Sequence, residues 1–237
     1  FTQEIRTYNH QQRLLHDTNW SFTIFVVNSD NDENGQFGDA QGRTVFKRAF
    51  AYPGGQFVVM PHHRPAQTIA HELAHIFWAH DEYAGSDTYY ERRGYYNTQN
   101  TNAIDGHPNP EEREPSLMYT LSAPYANHQL SQSARETIGW RDSDGDGIFD
   151  VLDVQHITIG TPTYDEDTQT VSFVGDSIVR TLDNQNPSGS SRDMTINKIT
   201  DLQYRIDAGP WLDLAEYDAY EVDIDAVTPT IPSGSER

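Results

Sequence analysis

The sequence has no cysteine, so it holds no disulfide, and the redox compartment stays undecided because a secreted protein need not use disulfides. It has no run of eighteen apolar residues, which excludes a transmembrane helix. Basic residues are scarce: 16 Lys and Arg stand against 36 Asp and Glu, for a formal net charge of −20. Nucleic-acid binding needs basic patches, so this scarcity argues against it. The acidic excess is compatible with calcium binding or with a well-solvated surface.

Length and composition predict one large or two modest domains. The chain has 237 residues, of which 35% are hydrophobic and 11% aromatic. These fractions supply real cores, but they are low enough that we expect long loops. The sequence begins Phe1-Thr2, without an initiator methionine or a visible signal peptide, and we expect a processed or excised part of a longer secreted protein.

Residues 71–75 read His-Glu-Leu-Ala-His, an HExxH motif. Apolar residues recur around it at spacings of three and four, and they predict a helix over roughly residues 65–79. Positions i and i+4 of a helix lie on the same face, so His71 and His75 can present imidazole nitrogens to one metal ion. Glu72 points beside that ion, where its carboxylate can take a proton from a water that the metal activates. The motif therefore predicts metal-assisted hydrolysis.

A third protein ligand is needed, because catalytic zinc takes three and leaves a position for water. Asp81 and its neighbours His80 and Glu82 follow the motif closely, and a distal glutamate such as Glu91 is a further candidate. A distal glutamate ligand would make the protein a gluzincin, in which replacement of Asp81 spares zinc affinity. On the residues alone these alternatives stay open.

The two histidines, the glutamate and a following aspartate resemble the motif of the metzincin clan of zinc peptidases. That motif is HExxHxxGxxH, with Asp replacing the last His in some members. The matching residues are His71, Glu72, His75 and Asp81. The resemblance implies that Asp81 is the third zinc ligand. The chain departs from the clan at the glycine, where Trp78 stands, so the turn after the second ligand must be made differently.

A second resemblance to the clan lies at residues 116–119, Ser-Leu-Met-Tyr. They are similar to the Met-turn, a tight turn whose methionine, here Met118, lies under the metal. The position of Met118 supports this resemblance, because it follows the HExxH motif after a loop in a chain with only three methionines. Residues 71–83 are also similar to uncharacterised secreted bacterial metallopeptidases and to the IgA-peptidase group. The resemblance covers roughly residues 20–140, and it implies a mixed twisted sheet plus an active-site helix.

The surrounding pattern predicts the elements that would carry this site. Residues 20–27 are β-branched and aromatic and predict a central strand of the catalytic sheet. Residues 57–60 predict a strand directly before the helix, following a turn at residues 53–55. In the resembled family that strand borders the cleft and pairs with extended substrate. Residues 84–115 predict a long loop near the cleft, and Ser131–Gly139 predict a short helix with Ser131 as its N-cap.

Residues 142–153 follow the rule of an EF-hand calcium loop, with Asp at positions 1, 3, 5 and 9, Gly at 6 and an acid at 12. The predicted calcium ligands are Asp142, Asp144, Asp146, Ile148 through its carbonyl, Asp150 and Asp153. Five carboxylates this close would repel one another without a cation. The stretch resembles DxDGDGxxD loops of extracellular bacterial proteins, where calcium fixes a junction between domains. A weaker half-loop, Asp30, Asp32 and Asn34, lacks its completing acid, and a second calcium there stays open.

After residue 153, short runs alternate apolar and polar residues between turn residues, which is typical of an antiparallel β-sandwich. The runs cover residues 157–159, 170–174, 178–182, 194–196, 202–206 and 220–224. Residues 204–211 resemble a hairpin of immunoglobulin- or fibronectin-like modules of secreted bacterial proteins. Residues 228–237 are rich in Pro, Ser and Gly and predict a linker or disordered tail.

These observations together predict an α+β fold, with a metzincin-like catalytic domain followed by an all-β module of the immunoglobulin or fibronectin type. The expected parts are a zinc peptidase domain (1–141), a calcium-binding junction loop (142–153), a β-sandwich (154–227) and a tail (228–237). We expect a secreted, bacterial, zinc-dependent endopeptidase with Glu72 as general base, Zn²⁺ and Ca²⁺ as cofactors, and a protein or peptide substrate. The sandwich is expected to contact a cell surface or matrix. The alternatives are a calcium-stabilised binding or adhesion module with a structural or vestigial zinc site, and a calcium-stabilised structural protein without zinc.

Overall fold

The computed structural model describes residues 2–28, 30, 49–120, 122–189 and 191–231, together with the backbone of residues 37–38 and 44–46. Within these residues the chain combines helices with several small sheets, which is the expected α+β composition. They divide into two compact units, residues 1–145 with 184–192, and residues 146–183 with 193–237. The division falls inside the loop expected at residues 142–153. Among the helices of the described part, none has the length and apolarity that a membrane crossing requires.

The first unit contains four α-helices among its described residues, and five of its strands precede the second of them. The helices are α1 (Thr2–Leu15), α2 (Ala66–Ile76), α3 (Ser122–Ala126) and α4 (Gln132–Thr137). The strands are β1 (Thr23–Val27), β2 (Phe37–Gly38), β3 (Thr44–Phe46), β4 (Phe50–Ala51), β5 (Phe57–Pro61), β6 (Arg92–Arg93) and β7 (Thr98–Gln99). The stretch predicted as a loop, residues 84–115, contains the β6–β7 hairpin and a 3₁₀ turn at Pro110–Glu112.

The sheet beneath the site has the order β1-β5-β4 among the described strands. Strand β5 runs parallel to β1, and β4 folds back antiparallel onto its other edge, with Phe50 opposite Val59. The prediction that residues 20–27 form the central strand is therefore wrong, since β5 takes that place. Strand β4 pairs with Val58 and Val59 only, so it covers part of the edge of the strand that borders the cleft in the resembled family. Burial explains the order, because β5 is buried at four of its five residues while Val26 of β1 is 60% exposed.

Helix α2 follows β5 after a short connection and carries the HExxH residues. It starts after Pro65, whose extended conformation serves as the N-cap, and it buries one face that includes Thr68, His71 and His75. The sequence pattern predicted an end near residue 79, but the helix ends at Ile76. The reason is Trp78, which adopts the left-handed conformation with φ of 74° and so cannot continue a right-handed helix.

Polar contacts dock α1 on the unit and cap the start of α4. In α1, the buried Asn9 donates through Nδ2 to the Gln56 carbonyl (2.8 Å) and accepts from the Thr23 hydroxyl (2.7 Å). The predicted N-cap of α4 is confirmed, because the Ser131 hydroxyl oxygen accepts from the Ala134 amide at 3.1 Å. A small apolar core of Ala74, Ala79, Met118 and Ala134 then joins α2 to α4.

The described residues of the second unit form two antiparallel sheets. Their strands are β8 (His156–Asp165), β9 (Thr170–Val179), β10 (Ile199–Tyr204), β11 (Leu212–Ala219) and β12 (Glu221–Val227), in the orders β12-β9-β8 and β10-β11. Val222, Ile224 and Ala226 of β12 form a core with apolar residues of both sheets. The two sheets therefore pack on one apolar layer, as two-layer β architectures do.

Two strand predictions for this unit are wrong and one strand was missed. Residues 178–182 do not form a separate strand, since β9 runs through to Val179. Residues 194–196 contribute only an isolated bridge between Leu182 and Met194. Strand β11 escaped prediction, because acids interrupt its apolar residues and a bulge breaks its alternation against β10.

Candidate metal centre

Three side chains of the first unit converge at the end of α2. The Nε2 atoms of His71 and His75 lie 3.0 and 3.3 Å from Oδ1 of Asp81, and the three ligand atoms are all within 4.8 Å of one another. Both histidines are buried, and the Asp81 side chain is 21% exposed. The site therefore offers two imidazoles and one carboxylate on one side of a small space.

Hydrogen bonds on the far side of each ring fix which nitrogen faces this space. Nδ1 of His71 lies 3.0 Å from the Leu117 carbonyl, and Nδ1 of His75 lies 2.8 Å from the Ala79 carbonyl. A carbonyl oxygen only accepts, so each Nδ1 carries a proton, and in its neutral form each ring presents a lone pair at Nε2. Three acceptors then meet at one point, which requires a shared proton or a metal cation between them. Two imidazoles and a carboxylate suit zinc, and carbonyl-bonded Nδ1 atoms are typical of zinc-ligating histidines.

The electrostatics of the three groups favour an ionised carboxylate beside the imidazoles. Burial opposes ionisation of Asp81, but hydrogen bonds from His71 and His75 outweigh it and hold the pKa of this carboxyl far below its ordinary value. Burial likewise disfavours protonation of His75, yet the hydrogen bond and charge of Asp81 raise the pKa of this imidazole above its ordinary value. Without a metal, a proton on the imidazole therefore stabilises the aspartate, and a metal ion would take over this role.

The remaining polar atoms of Asp81 are held by neighbours from the loop. Its second carboxylate oxygen accepts from the Tyr83 hydroxyl at 3.1 Å, and its amide donates to Asp87 at 3.1 Å. Its carbonyl accepts from the Asn100 side chain at 3.0 Å. The aspartate is thus positioned through three separate contacts, which leaves Oδ1 directed at the two histidines.

The alternative third ligands lie elsewhere. His80 is buried and its Nδ1 lies 3.2 Å from Oδ2 of Asp87, in a separate group that also includes Glu91. The Arg93 guanidinium is in close contact with Asp87 and lies 3.7 Å from Glu91. This second group therefore already has the Arg93 cation beside both of its acids. The structure therefore brings Asp81, and neither His80 nor Glu91, to the histidine pair.

Trp78 makes the turn that a glycine makes in the resembled motif. With its φ of 74°, its amide donates to the His75 carbonyl at 2.9 Å, and the following Ala79 amide reaches back to Ala74 at 3.0 Å. Left-handed backbone is unusual for a large residue and costs about 1–2 kcal/mol. The indole ring offsets this strain by covering Gly54, where an added Cβ would lie 2.2 Å from the ring. Tight packing thus replaces the conformational freedom of glycine.

Residues 116–119 form a turn under the histidines. Ser116 and Met118 are fully buried, the Met118 amide donates to the Ser116 hydroxyl at 3.2 Å, and the Tyr119 amide donates to the Ser116 carbonyl at 3.0 Å. The carbonyl of Leu117, between them, accepts from His71. Met118 packs on Ala74 and Ala79, one on each side of the second histidine along the chain. The turn therefore supports both the ring orientation of His71 and the end of α2.

Glu82, one of the alternative third ligands, lies outside the group of His71, His75 and Asp81 and instead joins these segments. Glu82 is 1% exposed, and its carboxylate accepts from the Asn102 side chain at 2.7 Å and, in a short contact, from the Ser131 hydroxyl. Its amide donates to the Met118 carbonyl at 3.0 Å. Burial raises the pKa of Glu82 in spite of these donors. In the sequence, only its position beside Asp81 draws attention to Glu82. Its hydrogen-bond partners, Asn102 and Ser131, lie 20 and 49 residues away along the chain.

Glu72 lies beside the histidines in an open cavity of about 460 Å³. Burial raises the pKa of Glu72 although His71 and His75 oppose the shift, and the Ala51 amide hydrogen-bonds to the carboxylate. The cavity is lined by Ala49, Phe50, Ala51, Arg64, Thr68, His71, Glu72, His75, Asp81, Tyr83, Leu117 and Tyr119. The short strand β4, rather than β5, forms its sheet-side wall. The arrangement places a base, a cation-binding cluster and room for a ligand together.

The structure brings together only part of the predicted calcium ligands. Carboxylate oxygens of Asp142, Asp144 and Asp146 lie within 4.8 Å of one another, whereas Asp150 and Asp153 are outside this group. Asp142 accepts from the Gly145 amide (2.8 Å) and Asp146 from the Ile148 amide (2.7 Å), so the loop is partly organised by its own backbone. In the half-loop near residue 30, Asp30 lies 3.2 Å from His62, while Asp32 and Asn34 are outside the described residues.

Comparisons with known proteins add no family assignment. The chain matches no family model, no curated protein and no solved structure.

Proposed function

We propose that the protein is a zinc-dependent endopeptidase of the metzincin type. The observation that carries the proposal is the meeting of two imidazole lone pairs and one carboxylate oxygen, with both Nδ1 atoms anchored on carbonyls. Such a cluster of acceptors needs a shared proton or a metal cation between its members, and it opens on a cavity with a glutamate beside it. Three protein ligands with an open side suit a catalytic zinc better than a closed structural site, which takes four protein ligands.

Each residue then has a definite task. His71, His75 and Asp81 would hold the zinc, and Leu117, Ala79 and Tyr83 keep these ligands oriented. Bound zinc supplies Lewis acidity, which activates the attacking water and polarises the scissile carbonyl.

Glu72 is the base of the proposed reaction. It accepts the proton of the attacking water and passes it to the leaving amine. Its raised pKa fits this exchange, because a carboxylate with a raised pKa accepts a proton more readily near neutral pH.

We further propose that the loop at residues 142–153 binds calcium as a structural clip. The grouped carboxylates of Asp142, Asp144 and Asp146 support the proposal, since three oxygens this close repel one another unless a cation neutralises them. Hard oxygen donors suit calcium rather than zinc. For the second unit we propose an immunoglobulin- or fibronectin-like module, and for the whole protein an extracellular site of action. The two antiparallel sheets on one core support the first of these.

The test of the peptidase proposal is Glu72→Ala. The variant should bind one zinc and keep its thermal stability within a few degrees, yet lose hydrolysis of a broad peptide library by a factor of about 10² or more. Glu111→Ala, which removes an exposed carboxylate outside the cavity, is the matched control and should behave as wild type. Full activity in Glu72→Ala would refute its role as the base.

A further inference from the structure

The cavity extends beyond the metal-binding cluster along one face of α2. Arg64, Thr68, His71, Glu72 and His75 line it at successive helical spacings, so this face runs from the residues just before the helix to the second ligand. Arg64 lies two residues before the helix, which begins at Ala66, so its Cα is at most about 14 Å from that of His71. An extended peptide covers that length in about four residues. Arg64 can therefore face a peptide residue that lies a few positions from a bond held at the metal-binding cluster.

The chemistry of the lining makes Arg64 distinctive. Apart from it, the described residues that line the cavity include neither lysine nor arginine. Half of the lining is apolar or tyrosine, and its two acids, Glu72 and Asp81, belong to the metal centre. Arg64 is half-buried, so its guanidinium is less hydrated than one on the open surface. A guanidinium binds carboxylates with two parallel hydrogen bonds, and such bonds gain strength in a partly dry site. The group best suited to bind the Arg64 guanidinium is a carboxylate on a ligand in the cavity.

The net charge of the protein does not oppose this contact at working ionic strength. The charge of −20 is spread over the whole chain, and interactions beyond about 10 Å are largely screened at 0.1 M salt. A contact between Arg64 and a carboxylate in the cavity is direct and is screened much less. Local attraction can therefore select acidic ligands on an acidic protein.

We propose that Arg64 binds a substrate carboxylate, so that the site prefers peptides with an acidic residue within about four positions of the cleaved bond. The inference rests on the proposed peptidase function and adds a substrate class to it. The C-terminal carboxylate of a short peptide offers the same group, and the experiment distinguishes it from an acidic side chain.

The experiment compares matched peptides that differ only by Glu or Gln, scanned over four positions on each side of the cleaved bond, each made with a free and an amidated C-terminus. Assays contain zinc and 0.15 M salt. For wild type, kcat/KM at the preferred position should be about 10- to 100-fold higher for Glu than for Gln, the range for a hydrogen bond to a charged group. In Arg64→Gln this ratio should fall to about one, and in Arg64→Glu the preference should move to a Lys peptide.

Arg6→Gln is the control, because it removes an exposed arginine of α1 with the same change in net charge, and it should keep the wild-type ratio. Zinc content and circular dichroism of each variant verify that the fold is intact. A preference that follows the free C-terminus, and vanishes in Arg64→Gln, would identify the terminal carboxylate as the ligand. A ratio of one at every position in wild type, or a preference that survives Arg64→Gln, would overturn the proposal.

Binding separates this inference from the peptidase proposal. The same labelled peptides are titrated against zinc-loaded Glu72→Ala with and without Arg64→Gln, and fluorescence anisotropy reports their affinity. Tighter binding of Glu peptides that depends on Arg64 supports the carboxylate site even if no peptide is ever cleaved. Equal affinity for Glu and Gln peptides overturns it even if wild type proves to be a peptidase.

Discussion

The contact between Gly54 and Trp78 allows a quantitative test of how the turn after the second histidine is made. In Gly54→Ala the new Cβ would lie 2.2 Å from the indole ring, and the backbone there has a φ of 65°. Left-handed backbone costs a non-glycine residue about 1–2 kcal/mol, and overpacking costs about 1–3 kcal/mol more. The free energy of unfolding should therefore fall by roughly 2–5 kcal/mol.

The same substitution should be milder once the ring is gone. In Trp78→Gly the clash disappears, so adding Gly54→Ala should cost only the backbone term of about 1–2 kcal/mol. The coupling energy of the double-mutant cycle is then about 1–3 kcal/mol. Trp78→Gly alone loses the packing of the ring but should still bind zinc, because glycine adopts a φ of 74° without strain.

Urea unfolding of the four proteins measures this cycle directly, and thermal melts give a second reading of about 2–4 °C per kcal/mol for a chain of this size. Zinc content of each variant is recorded alongside. Additive effects, with a coupling energy below about 0.5 kcal/mol, would show that the ring does not press on Gly54. Loss of zinc in Trp78→Gly would show that the ring, rather than the left-handed turn, is what positions the ligands.

Two further predictions concern the polar framework of the site. Ser131→Ala removes the N-cap of α4 and a donor to the buried Glu82 carboxylate, so unfolding by urea should show a loss of about 2–4 kcal/mol, and a loss under about 0.5 kcal/mol would contradict the contact. In the metal-free protein, the lowered pKa of Asp81 means that its carboxylate stabilises the fold above pH 3.8, and this contribution is lost as the pH falls. The raised pKa of His75 means that its protonated imidazole stabilises the fold below pH 6.5, and this contribution is lost as the pH rises further. Because zinc competes with protons for the imidazoles, the rise in Tm on adding zinc should grow from about pH 6 to about pH 8, and a rise that shrinks would refute the assignment.

The elements that local patterns specify were predicted well. The helix of the HExxH residues, the turn at residues 53–55, strand β5 and the cap at Ser131 all depend on residues within a few positions of one another. Helical periodicity, turn residues and capping residues act over that range, so one sequence is enough to find them.

The parts that depend on distant residues were not predicted. The pairing of β4 is one case, because its two residues occupy part of the edge of β5 and form a wall of the cavity, and nothing local names β5 as their partner. The connections of Glu82 span 20 and 49 residues, and nothing in its neighbourhood in the sequence names Asn102 or Ser131 as partners. The left-handed turn at Trp78 could not be predicted either, because it depends on packing against Gly54, which lies 24 positions earlier in the chain.

The most direct test of the account is the metal content of the purified protein after dialysis, measured by elemental mass spectrometry. We predict about one zinc per chain for wild type, none for His75→Ala or Asp81→Ala, and about one for His16→Ala, which removes an exposed histidine outside the site. Calcium measured in the same samples tests the loop at residues 142–153 independently. Absence of zinc from wild type after reconstitution, or retention of full zinc affinity in Asp81→Ala, would contradict the proposed centre.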